Sequence, residues 1–246
     1  MKLSAPIYIL KQQAKALSRQ EKVRLNVALD RIATREGYIA WSHLASSWQR
    51  QDTGSLVYRQ LQPGDLILVG ARPGHGKTLL GLGLAVEAMA HGNRAALFTL
   101  EDTTATVEQR FDMLGKDMGA VRDRFLLDTS EDISPRHIAE RLAAAPPRTL
   151  VVIDYLQLLD QRRDKPALDV QVRELKACAE GRQAMVVCLS QISRDYAPAG
   201  SPYPGLQDVR LPNPVDLALF SKACFLHGGK MQLLVGSWSK PGDGPA

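Results

Sequence analysis

The chain carries a glycine-rich stretch whose residues are of the types that bind phosphate. Residues 70–78 read GARPGHGKT, directly after the apolar run DLILV and directly before a segment with helical character. In such a loop the backbone N–H groups surround an anion at the N-terminus of a helix, where partial positive charge favours it. We expect seven loop residues to bind the phosphates of a nucleotide: Arg72, Pro73, Gly74, His75, Gly76, Lys77 and Thr78.

Three positions in or beside this loop have distinct expected roles. Lys77 is placed to reach the β- and γ-phosphates as a point charge, and the Thr78 hydroxyl is placed to ligate Mg²⁺. Ala71 stands where glycine is usual, but glycine is required only where φ is positive or space is absent. We therefore expect ATP and Mg²⁺ at this loop. The alternative is a Gly-Lys-Thr sequence that occurs by chance in a surface turn.

Polar side chains also end three further apolar runs. Asp154 follows TLVVI, Glu101 follows ALFTL, and Gln191 follows VVCLS. In open α/β sheets, ligands bind at the carboxyl ends of the strands. Asp154 is therefore expected to hold a magnesium-bound water beside the phosphates.

The other two polar ends are assigned to catalysis and coupling. Glu101 is the candidate base that orients the attacking water, with the adjacent Asp102 competing for the role. Gln191 is placed to sense the γ-phosphate and to pass its state to the following loop. The alternatives are that Gln191 and Asp154 only cap strand ends, and that Glu101 only interacts with the dipole of the next helix.

The elements that must position these residues follow from the alternation of strands and helices after residue 63. Near-continuous apolar strands alternate with amphipathic helices, which indicates an α/β fold with a mostly parallel central sheet and helices on both faces. A short helix, VDLALFSK, and two strands, ACFLH and MQLLVGSW, are expected near the C-terminal end. We assign residues 63–246 to this ATPase domain.

The first 45 residues are predicted to form a small basic helical unit. Apolar residues recur three and four positions apart in two segments, and AWSHLASSW reads as a third short helix. Residues 1–50 contain nine basic and three acidic residues, which gives them a charge of +6; since the whole chain has +5, the remainder carries −1. This asymmetry suggests an anionic partner such as nucleic acid, or a solvated helix face. Residues 46–62 show no sustained period and are expected to be a linker.

Composition excludes several classes of protein. The 246 residues are 45% hydrophobic and 23% charged, as in ordinary globular proteins. No apolar run reaches the roughly 18 residues of a membrane span, and the one near the N-terminus is too short for a secretory signal. Cys178, Cys188 and Cys224 are scattered without CxxC spacing, which is typical of reduced thiols rather than disulfides or zinc ligands. We expect a cytoplasmic protein without membrane contact.

The order and spacing of five motifs resemble the ATPase domain of DnaB-type replicative helicases, which has a RecA-like fold. The motifs are GDLILVGARPGHGKT, LFTLE, LVVIDYLQLL, LSQISR and DVRLPNPVDLALFSKACFLH, within about residues 54–240. That family commonly begins its phosphate loop with alanine or glycine followed by x-Pro, as this chain does at Ala71. The resemblance implies that Lys77 and Thr78 bind phosphate and magnesium. It further implies that Glu101 is the catalytic carboxylate, Asp154 the magnesium aspartate and Gln191 the coupling glutamine.

The resemblance also implies single-stranded DNA as a partner and a homo-oligomer, because such sites are usually completed between subunits. In RecA-like rings, the loops after the strands bearing the aspartate and the glutamine line the central channel. Tyr196 and Tyr203 of these loops are candidates for stacking on bases, and the loop cations for meeting phosphates. Solvated loop charges would explain the same residues. The cationic candidates are Arg162, Arg163, Lys165, Arg194 and Arg210.

The chain departs from the family pattern near its C-terminus. Family members carry a Lys-x-Arg pair there that acts as an arginine finger in the neighbouring subunit, whereas this chain has Ser237 and Ser239. Loss of a finger predicts slow hydrolysis, or a cation from elsewhere such as Lys240. The missing pair favours the alternative of a nucleotide-gated regulatory or assembly module, similar to RadA or KaiC, with weak hydrolysis and no unwinding. The three polar strand ends favour the enzyme.

Overall fold

The computed structural model describes residues 4–5, 7–160, 166–193, 196, 203–211 and 213–236, with backbone alone for 7–8, 46–52, 158 and 160. The helices in these ranges are α1 (Ile7–Gln20), α2 (Leu25–Arg35), α3 (Trp41–Tyr58), α4 (Lys77–Ala90), α5 (Thr104–Met113), α6 (Pro135–Arg141) and α7 (Leu168–Arg182). The strands are β1 (Leu66–Ala71), β2 (Ala95–Thr99), β3 (Phe125–Asp128), β4 (Leu150–Asp154), β5 (Met185–Gln191), β6 (Lys222–His227) and β7 (Lys230–Val235). Short 3₁₀ turns lie at Gly119–Val121, Leu156–Asp160, Leu206–Asp208 and Leu217–Leu219.

The seven strands form one sheet in the order β3-β2-β4-β5-β1-β6-β7. All neighbouring pairs are parallel except β6 and β7, which form an antiparallel hairpin at one edge. Strands β1, β2, β4 and β5 are almost entirely buried, as expected for strands covered on both faces. The prediction of a mostly parallel α/β sheet is confirmed.

Two apolar cores lie on opposite faces of the sheet. On one face, residues of α3, α4 and α5 pack with alternate strand residues such as Ile67 and Val69. On the other face, residues of α6 and α7 pack with the intervening strand residues, such as Leu66 and Leu68. Successive side chains of a strand point to opposite faces of the sheet, so each strand contributes to both cores. The carboxyl ends of the parallel strands therefore meet at one edge between the two helical layers.

Helix α4 packs closely on the sheet at residue 81, which is a glycine. A Cβ atom at Gly81 would lie 2.9 Å from Val152 Cγ1 of β4 and 3.2 Å from Leu189 Cδ1 of β5. Both distances are shorter than ordinary van der Waals contacts. The close approach sets the height of the helix over β4 and β5, and with it the position of the helix N-terminus at Lys77.

The first three helices have a small core of their own. Leu10, Ala14, Ala28, Ile32 and Leu44 are buried in it. The first four of these positions follow the three- and four-residue spacing that predicted α1 and α2 from the sequence.

The expected linker at residues 46–62 is in fact largely helical, since α3 continues to Tyr58. Residues Gly54, Val57, Tyr58 and Leu61 follow the i, i+3, i+4, i+7 spacing of one helix face, and the last three belong to the core of the sheet. The period is hard to see in the sequence because its first member is a glycine. A Cβ atom at Gly54 would lie 3.3 Å from the carbonyl carbon of Gly83, so α3 and α4 touch backbone to backbone there.

The segment VDLALFSK forms only the 3₁₀ turn Leu217–Leu219 instead of the predicted helix. The Asp216 side chain accepts a hydrogen bond from the Ala218 N–H at 3.1 Å, and β6 begins at Lys222. The chain therefore has too few residues before the strand to complete a helix.

The three cysteines are free thiols, with Cys188 and Cys224 buried and Cys178 half-buried. Burial raises the pKa of both Cys188 and Cys224 to about 12. Among the residues described, no helix is long and apolar enough to cross a membrane.

The packing of α4 makes a testable distinction between two of its glycines. Alanine at either Gly81 or Gly83 gains the same helix propensity, about 1 kcal/mol. A Cβ at Gly83 would meet nothing within 4 Å, whereas one at Gly81 would crowd Val152 and Leu189. We expect Gly83→Ala to be neutral or stabilising. The unfolding free energy of Gly81→Ala should be about 1–3 kcal/mol lower than that of Gly83→Ala. Urea denaturation measures both. Equal stabilities would contradict this account of the packing.

Candidate nucleotide-binding site

The loop between β1 and α4 has the backbone of a phosphate cradle. Gly74 and Gly76 have φ values of 78° and 89°, in the left-handed region that favours glycine, and nothing lies within 4 Å of a Cβ built on either. Gly76 directly precedes α4, so the loop opens onto unpaired N–H groups of a helix of 14 residues. Ala71 lies within β1 and is buried without positive φ, which explains why alanine is tolerated there.

Four of the predicted site residues meet at the start of α4. Lys77 Nζ lies 3.0 Å from Asp154 Oδ1 and 3.4 Å from Glu101 Oε2. The Thr78 hydroxyl donates a hydrogen bond of 2.6 Å to Asp154 Oδ2. Both oxygens of Asp154 are therefore engaged by adjacent residues of α4.

Burial differs sharply within this group. The Asp154 side chain is fully buried and that of Lys77 is 9% exposed, whereas that of Glu101 is 43% exposed. A buried carboxylate costs several kcal/mol of desolvation unless a cation and hydrogen bonds compensate it, and Lys77 and Thr78 supply both. Lys77 Nζ also lies 5.2 Å from the ring centroid of Tyr155, within reach of a cation–π interaction.

The geometry separates the two acids that competed for the role of base. Glu101 contacts Lys77 and is open to solvent. Asp102 is buried and forms an ion pair of 2.8 Å with Arg110 of α5. Asp102 is thus engaged in holding α5, and Glu101 is the acid that lies in the group around Lys77.

Gln191 lies at the end of β5, beside the start of the phosphate loop. It is the register partner of Ala71 on β1 and is half-buried. Its carbonyl accepts a hydrogen bond of 2.8 Å from the Arg210 N–H, and the adjacent Ile192 forms an antiparallel bridge with Val209. The segment ending at Arg210 is therefore attached to the strand that carries Gln191, and the Arg210 side chain is exposed.

Gln157, which the sequence did not single out, strengthens this attachment. Its side chain is buried, and its amide N–H groups donate to Ser190 Oγ at 2.9 Å and to the backbone carbonyl of Arg210. The 3₁₀ turn after β4, the end of β5 and the segment near Arg210 are thereby joined by one side chain.

Aromatic and basic residues form a group beside the loop, and neither this group nor its member His227 was predicted from the sequence. His75 of the loop stacks on His227 at the end of β6, with ring centroids 5.5 Å apart. Tyr196 packs edge-on against His227 at 5.6 Å, and Arg72 donates a hydrogen bond to the Tyr196 carbonyl. His227 is a polar residue at the carboxyl end of a strand, the signal that identified Asp154. It was overlooked because the sequence does not reveal that β6 lies beside β1.

A cavity of about 330 Å³ adjoins the loop. Its lining includes Gly74 and Gly76 of the loop, Leu80 of α4, residues 228–231 of the turn into β7, and Thr53 of α3. A volume of this size lies within the range of small-molecule sites.

The residues present fit a magnesium ion. A hydroxyl and a carboxylate are the kinds of oxygen ligand that Mg²⁺ takes beside nucleotide phosphates, and Thr78 and Asp154 bring them within 2.6 Å of each other. A cation, the Lys77 ammonium, already lies against the carboxylates of Asp154 and Glu101. The carboxylates at this position therefore already bind a positively charged group.

Most of the predicted DNA contacts lie outside the described residues. Arg162, Arg163, Lys165 and Arg194 lie outside the described residues, as do Ser237, Ser239 and Lys240. Arg210 and Tyr203 are described, and Tyr196 is buried at 8% exposure in the group beside the loop. A buried ring does not offer a free face to a base, so stacking by Tyr196 is not supported in this arrangement.

The family profile described as AAA domain (AAA_25) matches residues 33–198, which is more than half of the chain. The chain belongs to this AAA domain family. Members of this family are P-loop ATPases, so membership implies that the chain binds a nucleotide. The geometry of the loop agrees with this.

Curated relatives of this AAA domain chain include replicative DNA helicases of the DnaB type. It is 27% identical over 198 residues to DnaB of Haemophilus influenzae, covering 65% of this chain and 42% of the relative. It is 29% identical over 181 residues to DnaB of Synechocystis, and the match covers 61% of this chain and 21% of the relative. The chain spans less than half the length of these relatives. The predicted resemblance to the DnaB-type ATPase domain is confirmed.

Solved structures of similar fold agree with the RecA-like prediction. A DnaB-like replicative helicase superposes with a TM-score of 0.54 at 21% identity, covering 66% of this chain and 47% of that one. Another solved ATPase domain gives a TM-score of 0.53 at 22% identity, covering 68% and 70%. A KaiC-like protein of Pyrococcus horikoshii gives a TM-score of 0.53 at 14% identity, and the superposition covers 72% of this chain and 81% of that one. At these identities the likeness shows the fold alone.

The buried pair of Lys77 and Asp154 makes a testable prediction about stability. Lys77→Ala leaves a fully buried carboxylate with only the Thr78 hydroxyl, and we expect it to lower the unfolding free energy by about 3 kcal/mol. Adding Asp154→Asn removes the uncompensated charge and should restore most of the loss without restoring nucleotide binding. Urea unfolding of the four chains of the double-mutant cycle measures this coupling. Additive effects of the two substitutions would show that the pair is not coupled.

Proposed function

We propose that the chain is a magnesium-dependent ATPase of the DnaB type that couples ATP hydrolysis to binding of, or movement along, single-stranded DNA. The observation that carries this proposal is the meeting of Lys77, Asp154 and Glu101 at the glycine-rich loop. A cation for phosphate, a carboxylate for magnesium and a solvent-exposed carboxylate for water are the parts that phosphoryl transfer requires.

Phosphate binding is assigned to the loop and to Lys77. The N–H groups of the loop and of the first turn of α4 surround the phosphates, helped by the positive end of the helix. Lys77 exchanges its contacts with Asp154 and Glu101 for the β- and γ-phosphate oxygens. The negative charge of the nucleotide takes the place of the carboxylates as the partner of this ammonium.

The metal site is assigned to Thr78 and Asp154. The hydroxyl would ligate Mg²⁺ directly and the carboxylate would hold it through water. Bound Mg²⁺ would neutralise charge on the β- and γ-phosphate oxygens. Asp154 requires a cationic or hydrogen-bonding partner at every stage because it is fully buried.

Proton transfer is assigned to Glu101. Its carboxylate orients a water whose oxygen attacks the γ-phosphorus, while the bond from that phosphorus to the β–γ bridging oxygen breaks and its electrons leave with ADP. The water proton passes to Glu101, and inorganic phosphate is the second product. The 43% exposure of this side chain leaves room for water beside it.

Coupling to DNA is assigned to the end of β5. Gln191 would respond to the γ-phosphate, and its backbone bond to Arg210 would carry the response to the segment 203–211. Support for DNA as the partner comes from the relatives named as replicative DNA helicases and from the charge of +6 in residues 1–50. We further propose that the chain acts in the cytoplasm as a homo-oligomer in which a neighbouring subunit completes the site.

A second candidate is a nucleotide-gated regulatory or assembly module with weak hydrolysis. It is favoured by Ser237 and Ser239, which occupy the positions where the resembled family has basic residues. Turnover that is slow and indifferent to single-stranded DNA, with an oligomeric mass that changes with ATP, would select this candidate.

Glu101→Gln is expected to reduce the turnover number of ATP hydrolysis by about 10²–10⁴-fold while leaving ATP affinity nearly unchanged, because the amide binds water but takes no proton. Steady-state phosphate release and fluorescent-nucleotide binding measure the two quantities. Asp102→Asn is the matched control, since that acid is engaged with Arg110. If Asp102→Asn reduces turnover more than Glu101→Gln does, the assignment of the base is reversed.

Arg210→Ala is expected to weaken single-stranded DNA binding, to reduce the dependence of log K on log salt by about one unit, and to leave DNA-free ATP turnover unchanged. The backbone bond to Gln191 is retained in this variant. Arg136→Ala on α6, whose side chain is 89% exposed, is the control for loss of one surface charge. Fluorescence anisotropy with a labelled oligonucleotide at several salt concentrations provides the measurement. Equal salt slopes for the two variants would remove Arg210 from the interface.

A further inference from the structure

The cavity beside the phosphate loop has one wall that comes from the N-terminal helices. Thr53 of α3 lines it together with Gly228 and Gly229 of the turn before β7. Helix α3 begins in the separate core of the first three helices, where Leu44 is buried. One continuous helix therefore runs from the basic N-terminal unit to the edge of the nucleotide site.

The end of α3 is fixed against the P-loop helix by contacts of several kinds. The backbones meet where Gly54 faces Gly83. Val57 and Tyr58 are buried in the core of the sheet. The Tyr58 hydroxyl also accepts a hydrogen bond of 2.7 Å from the Asn93 amide. These contacts hold α3 against α4, and Thr53 lines the cavity together with Leu80 of α4.

The position and lining of the cavity suit the nucleoside half of a nucleotide. Its lining includes Gly74 and Gly76, beside which the phosphates of a bound nucleotide would lie, and also Thr53 of α3 and the turn at Gly228 and Gly229. Leu80, Leu226 and Met231 offer apolar surface for the faces of a base, and its other walls include polar side chains. Its volume of about 330 Å³ is in the range of small-ligand sites.

We propose that Thr53 forms a wall of the nucleoside subsite, so that the base and ribose of the bound nucleotide touch the N-terminal helical unit directly. This inference rests on the proposed function, because it takes a nucleotide to be the ligand. The nucleoside half binds fully only when α3 is docked on α4, and a bound nucleotide in turn holds α3 in place. The two events are linked, since a ligand that contacts only the docked state must favour that state.

The test separates the nucleoside subsite from the phosphate loop by using two ligands, MgADP and magnesium tripolyphosphate. Tripolyphosphate has the anionic part but no base or ribose, so it requires the loop and not the cavity. Thr53→Trp fills the cavity from the α3 side, and Leu56→Trp puts the same ring on the same helix at a side chain that is 53% exposed. Isothermal titration calorimetry measures both ligands with each chain.

We expect Thr53→Trp to lower MgADP affinity at least tenfold and to leave tripolyphosphate affinity within twofold, and Leu56→Trp to change neither. Gly54→Leu, which pushes α3 away from Gly83 without touching the ligand, should give the same selective loss. Unchanged MgADP affinity in Thr53→Trp would overturn the proposal. A parallel loss of tripolyphosphate in both variants would also overturn it, because α3 would then act on the phosphate loop. If the unaltered chain binds neither ligand, the proposed function itself fails.

Discussion

The contact between Lys77 and the fully buried Asp154 is the constraint on which the rest of the site depends. The two residues belong to different elements, the first turn of α4 and the end of β4, and β5 lies between β4 and β1 in the sheet. Lys77 reaches Asp154 from a helix that packs closely over β4 and β5, and the glycine at residue 81 permits this close packing. The electrostatics of the site therefore depend on how α4 packs on the sheet.

The same contact governs how the proposed site would accept a nucleotide. A buried carboxylate needs a cation, and in the described arrangement Lys77 serves Asp154 and, at 3.4 Å, Glu101. A nucleotide that draws Lys77 towards its phosphates must leave Asp154 with another positive partner. The bond of 2.6 Å between Thr78 and Asp154 holds a hydroxyl and a carboxylate where that partner would bind. In the proposed mechanism, exchange of one cation for another would keep the buried charge compensated throughout.

The sequence predicted the parts of the fold that depend on local pattern. Apolar runs marked the strands, closely spaced glycines marked the loop, and polar residues directly after apolar runs marked Asp154 and Glu101. What depends on strand order could not be read, which is why His227 escaped notice although β6 pairs with β1. The start of α3 was predicted, but its continuation to Tyr58 was missed for a different reason, since the first residue of its buried face, Gly54, has no apolar side chain. Patterns of hydrophobicity do not detect contacts made by backbone alone.

Two segments contact the candidate nucleotide site, namely the chain after β5 and helix α3. The resemblance alone does not place these two segments at one site. On one side, the loop after β5 is tied to the site through the carbonyl of Gln191 and through the bond from Arg72 to the Tyr196 carbonyl. On the other side, α3 packs on α4 at Gly54. A shift of the phosphate loop relative to β5 would strain the first connection, and a shift of α4 would strain the second. Because close-packed interfaces resist continuous deformation, such shifts are expected to occur between discrete arrangements. Under the proposed function, a single change in the nucleotide would thus reach both the segment that bears Arg210 and the basic N-terminal helices.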